Sequence, residues 1–384
     1  MTTTLPFRPA AVTSFASMLT GLGLCIGTCL LGACNEKAPE APAKAATPSD
    51  AAAPTPAPAG KELTVYMWSE YIDPEIVTAF EKSTGMKVRI EVYEDTESML
   101  AKMQRQEGDK LYDVVIASDH AIPVLGGLKL IKPLDLSKIP NAANVDARFK
   151  KPSYDPKGEF ALPYQWGTVG LIYSKEKAGT APISWKSVLG STATSPFVLI
   201  DSMRDMMGVA LKATGDSVNT TDPAKLDAAG AAILAAKNRK ECLGFEGGVG
   251  GKNKVAAGLA NWAIVYSGDA LRAVADDPKL AYGIPAEGSI IWVDAMTVTA
   301  RTQNEAGAYA FINTILDAKV GAQLSTFTLY ATPNAKSKEL LPPEATSNPA
   351  IYPPEEVMAK LEYISDVGDT TQKYDSVWTG VKSK

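Results

Sequence analysis

Carboxylates and aromatic side chains recur together along this chain, each time just after a short apolar run. Trp68-Ser69-Glu70-Tyr71 follows one run and Ser118-Asp119-His120 another. Asp201-Ser202-Met203-Arg204-Asp205 and Tyr266-Ser267-Gly268-Asp269 follow two more, and a later run itself carries Trp292 and Asp294. In an open parallel sheet, the space beyond the carboxyl ends of the strands is where ligands bind. The set is rich in acids and rings and poor in Lys and Arg. That mixture suits a flexible organic cation: ammonium groups donate charge-assisted hydrogen bonds to carboxylates, and each methylene laid against a flat apolar wall contributes about 0.8 kcal/mol. A cation over an indole or phenol face adds about 0.5–2 kcal/mol. Taken singly, an Asp after a strand also reads as a helix N-cap, and a Trp or Tyr there as packing.

Other chemistries find little to draw on. His120 is the one histidine, so a multi-His zinc site or a histidine-based triad has little to draw on, and no metal or cofactor is called for. No nucleophile–base pair is visible, which leaves an enzyme acting on amines without its machinery. An amino-acid ligand needs an Arg for its carboxylate, and the strand ends offer only Arg204. A ferric ion would favour paired tyrosines with carboxylates rather than indoles. A sugar on the same fold is a further alternative.

The elements that must position these residues can be read from periodicity. Leu63, Val65 and Met67 alternate as a strand. Asp73-Pro74-Glu75 then opens a helix, with Asp as N-cap and Pro in the first turn, and Gly85 stops it. Met86, Val88, Ile90 and Val92 alternate as a second strand. A helix over about 96–106 leads to a buried strand over 112–117, and this alternation predicts a parallel sheet. Residues 160–174, with Gly167 and Gly170 as flexible points, read as a crossing strand, and residues 290–300 as another returning to the first block. Between them, residues 197–201 and 262–266 read as strands and residues 222–237 as a helix. Residues 305–316 read as a helix and the tail 354–384 as mainly helical, packed back on the body. GFEGGVGGKN (244–253) fails the phosphate-loop spacing and reads as a Gly-rich turn.

The first 34 residues carry Arg8, an apolar run from Ala10 to Leu31 and then Leu31-Gly32-Ala33-Cys34. Small residues before a cysteine match a bacterial lipoprotein signal, with residues 1–33 removed and Cys34 acylated. Residues 34–60 are Ala- and Pro-rich and read as an extended tether reaching about 70–80 Å at roughly 3 Å per residue. The expected location is the periplasm or cell envelope, on a membrane through the lipid. Of the cysteines at 25, 29, 34 and 242, only Cys242 would then keep a free thiol. The chain is 46% hydrophobic and 21% charged, with net charge −5. That balance suits a large globular core and argues against nucleic acid as a partner.

The segments MWSEYIDPEIVTAFEKSTGMKV, YDVVIAS, ALPYQWGTVGLIY, YSGDA, WVDAMTV, YATPNAK and NPAIYPPEEVMAKL together resemble the putrescine- and spermidine-binding proteins of bacterial ABC importers. The resemblance runs over nearly all of residues 61–384, and the last segment is closest to the putrescine-binding branch. It implies an α/β, two-lobed periplasmic solute-binding fold of type II with hinge crossovers. Lobe one would span 61–165 with 295–335, and lobe two 166–294 with 336–384. It implies a monomer that closes on a polyamine and docks on importer permease subunits, with no bond made or broken. By the same resemblance, Trp68, Tyr71, Trp292 and Tyr330 supply aromatic walls and Ser118 a hydrogen-bonding position. Glu70, Asp205, Asp269 and Asp294 then approach the amines; Asp119 is the alternative to His120 as the reader of a distal amine. Three positions depart from the family. Tyr266 stands where Trp is usual, Asp205 where Glu is usual, and His120 where Tyr or Ser is common, so a pocket role for His120 stays open beside that of a loop residue.

Overall fold

The computed structural model describes residues 62–105, 112–178, 183–191 and 194–384. The leader, Cys34 and the tether lie outside them. Ten strands are found among the described residues: β1 (Glu62–Trp68), β2 (Lys87–Tyr93), β3 (Val114–Ser118), β4 (Leu162–Ser174), β5 (Phe197–Ile200), β6 (Cys242–Glu246), β7 (Trp262–Tyr266), β8 (Leu280–Gly283), β9 (Ser289–Val298) and β10 (Leu361–Glu362). Eight of them follow the order β2-β1-β3-β9-β4-β7-β5-β6, with β8 on β4 and β10 on β9.

Local chemistry accounts for the first block. Asp73 caps the helix Pro74–Thr84 by accepting from the Glu75 N–H, and Gly85 ends it at φ 72°, where a residue with a Cβ would be strained. β1 pairs in parallel with both β2 and β3. β2 sits at the sheet edge, which explains why Val92 of its expected apolar face is 52% exposed.

β4 and β9 are the longest strands, and both run through the middle of the sheet. The first half of β4, Leu162–Thr168, lies antiparallel to β9. Its second half, from Val169 on, pairs with β7 and β8. β9 in turn pairs with β3 through Asp294–Val298. All ten residues of β9 are buried. Gly167 and Gly170 serve close packing rather than flexibility: a Cβ on Gly167 would meet Trp292 at 2.6 Å, and one on Gly170 would meet Tyr282 at 2.5 Å.

The tail is mainly helical, as expected, with the short β10 between the helices Glu355–Met358 and Thr371–Ser383. The second of these packs through buried Tyr374 and Val381, with Val377 against Gly230. The Gly-rich stretch 244–253 is no simple turn. It carries the end of β6, a tight bend with Gly248 at φ 47°, and the start of the helix Gly250–Ala256. Among the described residues, no helix is long and apolar enough to cross a membrane.

Candidate functional site

A narrow cleft opens beside the ends of β1, β3 and β7 and the middle of β9. Its lining brings together residues far apart in sequence, and the sheet register explains how. On β9, Trp292 and Asp294 are two residues apart and so face the same side. Ser118, the last residue of β3, is the direct partner of Asp294 in the ladder, and its Oγ donates to Asp294 Oδ1 at 2.7 Å. Gly167 is the direct partner of Trp292 across β4 and β9. The missing side chain there makes room for the indole and for Tyr330, whose ring carbon lies 3.0 Å from where a Cβ would stand.

Five aromatic rings form a connected wall. Tyr71 meets Tyr330 edge-on at 5.5 Å between centroids, Tyr330 meets Trp292 at 5.0 Å, Trp292 meets Tyr266 at 5.9 Å, and Tyr266 meets Trp68 at 6.4 Å. Edge-to-face contacts of this kind add about 0.5–1.5 kcal/mol each beyond burial. Tyr330 is delivered by Leu329, which ends the helix Ala318–Thr328 in the left-handed region at φ 58°. Ala331 then bridges to Trp166, next to Gly167.

Four carboxylates line the same space: Asp119, Asp205, Asp269 and Asp294. Among the described residues, no Lys or Arg does. Asp205 and Asp269 sit in the first turns of the helices Met203–Lys212 and Ser267–Asp276, where the helix dipole favours negative charge. Asp205 Oδ2 accepts from Ser202 Oγ at 2.8 Å and Tyr266 Oη at 2.7 Å. Burial pushes its pKa up, against the pull of these two hydroxyls. The smaller tyrosine at 266 therefore spends its hydroxyl on the shorter acid at 205. Asp294 is fully enclosed, and burial pushes its carboxyl up to about 7 despite the Ser118 bond. The Tyr71 hydroxyl faces Asp294 without closing a hydrogen bond to it. Asp119 is committed to the fold: Oδ1 accepts the His120 N–H at 2.7 Å and Oδ2 the Val293 N–H at 3.2 Å. His120 lines the cleft, with Nδ1 3.4 Å from Asp119 Oδ1. Burial disfavours its charged form, but the bond to Asp119 and the charge of that carboxylate outweigh it and raise its pKa.

Of the twelve residues expected at a site, Glu70 alone stays outside the lining. Its side chain is half exposed, and Oε2 is held by Lys252 Nζ at 3.1 Å and Arg272 at 3.0 Å. Arg272 also bonds Asp269 Oδ1 at 2.6 Å and the Thr328 carbonyl at 3.1 Å. Asp269 is thus buried with a cation beside it; burial raises its pKa and Arg272 opposes the rise. Arg204, the strand-end arginine, turns elsewhere. Its guanidinium bonds the Ser365 carbonyl and Asn219 and lies 4.6 Å from the Tyr374 ring centre.

Sequence reading missed five lining residues: Ser69, Thr96, Gly248, Val249 and Ile364. Gly248 approaches so closely that a Cβ would collide with the Glu94 carboxylate. The cluster of glycines was the available signal for that approach. Ile364 comes from the tail and had none.

The sequence pattern that defines the bacterial extracellular solute-binding proteins matches residues 75–353. The putrescine-binding periplasmic protein SpuD of Pseudomonas aeruginosa is 32% identical, over 84% of this chain and 92% of its own. The spermidine/putrescine-binding periplasmic protein of Salmonella typhimurium is 29% identical, over 84% and 91%. Among solved structures, the spermidine/putrescine ABC transporter substrate-binding protein PotD of Streptococcus pneumoniae, in complex with calcium and HEPES, matches with a TM-score of 0.71. It is 31% identical, over 84% of this chain and 99% of that one.

Proposed function

This chain belongs to the bacterial extracellular solute-binding protein family, and we propose that it is the polyamine receptor of an ABC importer, not an enzyme. One observation carries the reading: the cleft is lined by four aspartates and five aromatic rings and, among the described residues, by neither Lys nor Arg. Such a lining repels anions and offers alkyl-ammonium ligands both acceptors and flat walls. The four methylenes of a diamine contribute about 3 kcal/mol by burial alone. An amino-acid reading loses its support because Arg204 is engaged with Ser365 and Asn219. The names of SpuD and of the Salmonella relative point the same way.

In this reading, lobe one comprises residues 61–165 with 295–335 and lobe two residues 166–294 with 336–384. The lobes pivot on β4 and β9, whose pairing partners change along their length. The closed monomer presents the ligand to permease subunits. Lipid on Cys34 holds it at the envelope, and the Ala/Pro tether sets its reach.

Calorimetry with putrescine, cadaverine, spermidine and spermine tests the ligand class. Micromolar or tighter binding that weakens with salt is expected. A protein that ignores all four amines and binds a neutral or anionic solute would sink the reading. For the anchor, Cys34→Ala is expected to leave the membrane fraction, and unchanged membrane retention would remove the lipoprotein assignment.

A further inference from the structure

The four lining carboxylates are not equivalent as acceptors. Asp119 accepts one backbone N–H on each oxygen and is paired with the His120 ring, whose Nδ1 lies 3.4 Å from Oδ1. Asp269 shares Arg272 with Glu70, and Glu70 also holds Lys252. Two acids and two cations balance there. Asp205 and Asp294 meet only hydroxyl groups: Ser202 and Tyr266 for the first, Ser118 for the second. Among the described residues, neither is in an ion pair.

We propose that Arg272 sets the charge capacity of the cleft at two, making the protein selective for diamines over triamines and tetramines. The proposal rests on the polyamine reading and specifies it. A diamine brings two positive charges, which Asp205 and Asp294 neutralise. A third ammonium group would reach Asp269 and find its charge already matched by the guanidinium 2.6 Å away. A buried cation without a matched anion is strongly disfavoured. Arg272 reaches Asp269 from outside the lining, three residues along the same helix. It therefore acts on specificity through the carboxylate and not by touching the ligand.

The test is calorimetry on the full-length chain with putrescine and spermidine at one low salt concentration, for the wild type, Arg272→Gln and Arg272→Lys. The wild type is expected to bind putrescine at least tenfold more tightly than spermidine. Arg272→Gln is expected to move that ratio at least tenfold toward spermidine, while Arg272→Lys, which keeps the charge, holds it near the wild-type value. A wild type that binds spermidine as tightly as putrescine overturns the proposal. So does a folded Arg272→Gln protein, judged by its melting curve, with the wild-type ratio. If Arg272→Gln does not fold, the wild-type ratio and Arg272→Lys still decide: a shift toward spermidine in the lysine variant overturns it. Binding of neither amine by the wild type would instead strike the polyamine reading itself.

Discussion

Asp294 and Asp269 are both buried aspartates on the same cleft, yet their surroundings differ in one respect. Asp269 has Arg272 at 2.6 Å, whereas Asp294 has the Ser118 hydroxyl at 2.7 Å and, among the described residues, no ion pair. The pKa of each is raised by burial, but that of Asp294 climbs to about 7. The comparison teaches that an acid in a pocket is available to a cationic ligand in proportion to what the protein has left unpaired. It predicts unequal losses. Asp294→Asn is expected to cost diamine binding about 3 kcal/mol, a hundredfold or more, as for other broken buried charge pairs. Asp269→Asn is expected to cost less than tenfold, because its charge is already shared. Titration calorimetry on both variants checks this, and equal losses would break the comparison. Asp294→Asn is further expected to raise the melting temperature of the ligand-free protein at pH 8, since the wild type there must hold an ionised carboxylate in a buried site.

The same contrast governs pH. Asp294 is raised from 3.8 to about 7 on folding, so the folded state binds more protons than the unfolded state between those values. Ligand-free stability therefore falls as pH rises through that window. Affinity for a cation runs the opposite way, because the ligand selects the ionised form. With a pKa near 7, the ionised fraction rises about tenfold between pH 6 and pH 8. Putrescine affinity should rise by about that factor, with about half a proton released per ligand bound at pH 7. His120 acts in the same direction, since its raised pKa adds a positive charge to the cleft as pH falls. Calorimetry in buffers of different ionisation enthalpy reads both effects. A flat profile between pH 6 and 8 would mean that Asp294 does not face the ligand.

How much of this was legible depended on whether the signal was local. β1 and the capped helix Pro74–Thr84 were readable because alternation, an N-cap and a C-terminal glycine lie within a short stretch of chain. β6 and β10 were not. Neither has a fully buried residue, so no apolar face marks them. Eight of the eleven expected residues on the cleft lie at or after the ends of β1, β3, β5 and β7, which converge whatever their spacing; Trp292 and Asp294 come from the middle of antiparallel β9, and Tyr330 from the end of a helix. Arg272 was readable and was passed over. It stands three residues after Asp269 on one helix, the spacing at which opposite charges meet. Lys252, by contrast, comes from the glycine-rich stretch and reaches Glu70 across 182 residues of chain, which no local rule anticipates.

Glu70 supplies the smallest effect and the sharpest limit on the comparison. It follows β1 at φ 51°, a conformation uncommon for a residue with a side chain. Burial alone would raise its pKa, but Lys252 and Arg272 lower it. Because its side chain is 49% exposed, such pairs contribute only about 0–1 kcal/mol each. Glu70→Gln is therefore expected to weaken putrescine binding by a factor of about two to five. The loss is indirect: without Glu70, Arg272 is left wholly to Asp269, and one tie between the loop after β1 and the helices Gly250–Ala256 and Ser267–Asp276 is cut. An indirect effect of this kind should fade with salt and leave the pH profile unchanged, because Asp294 is untouched. A loss as large as that of Asp294→Asn would instead place the Glu70 carboxylate on the ligand, and three acids rather than two would then share its charge.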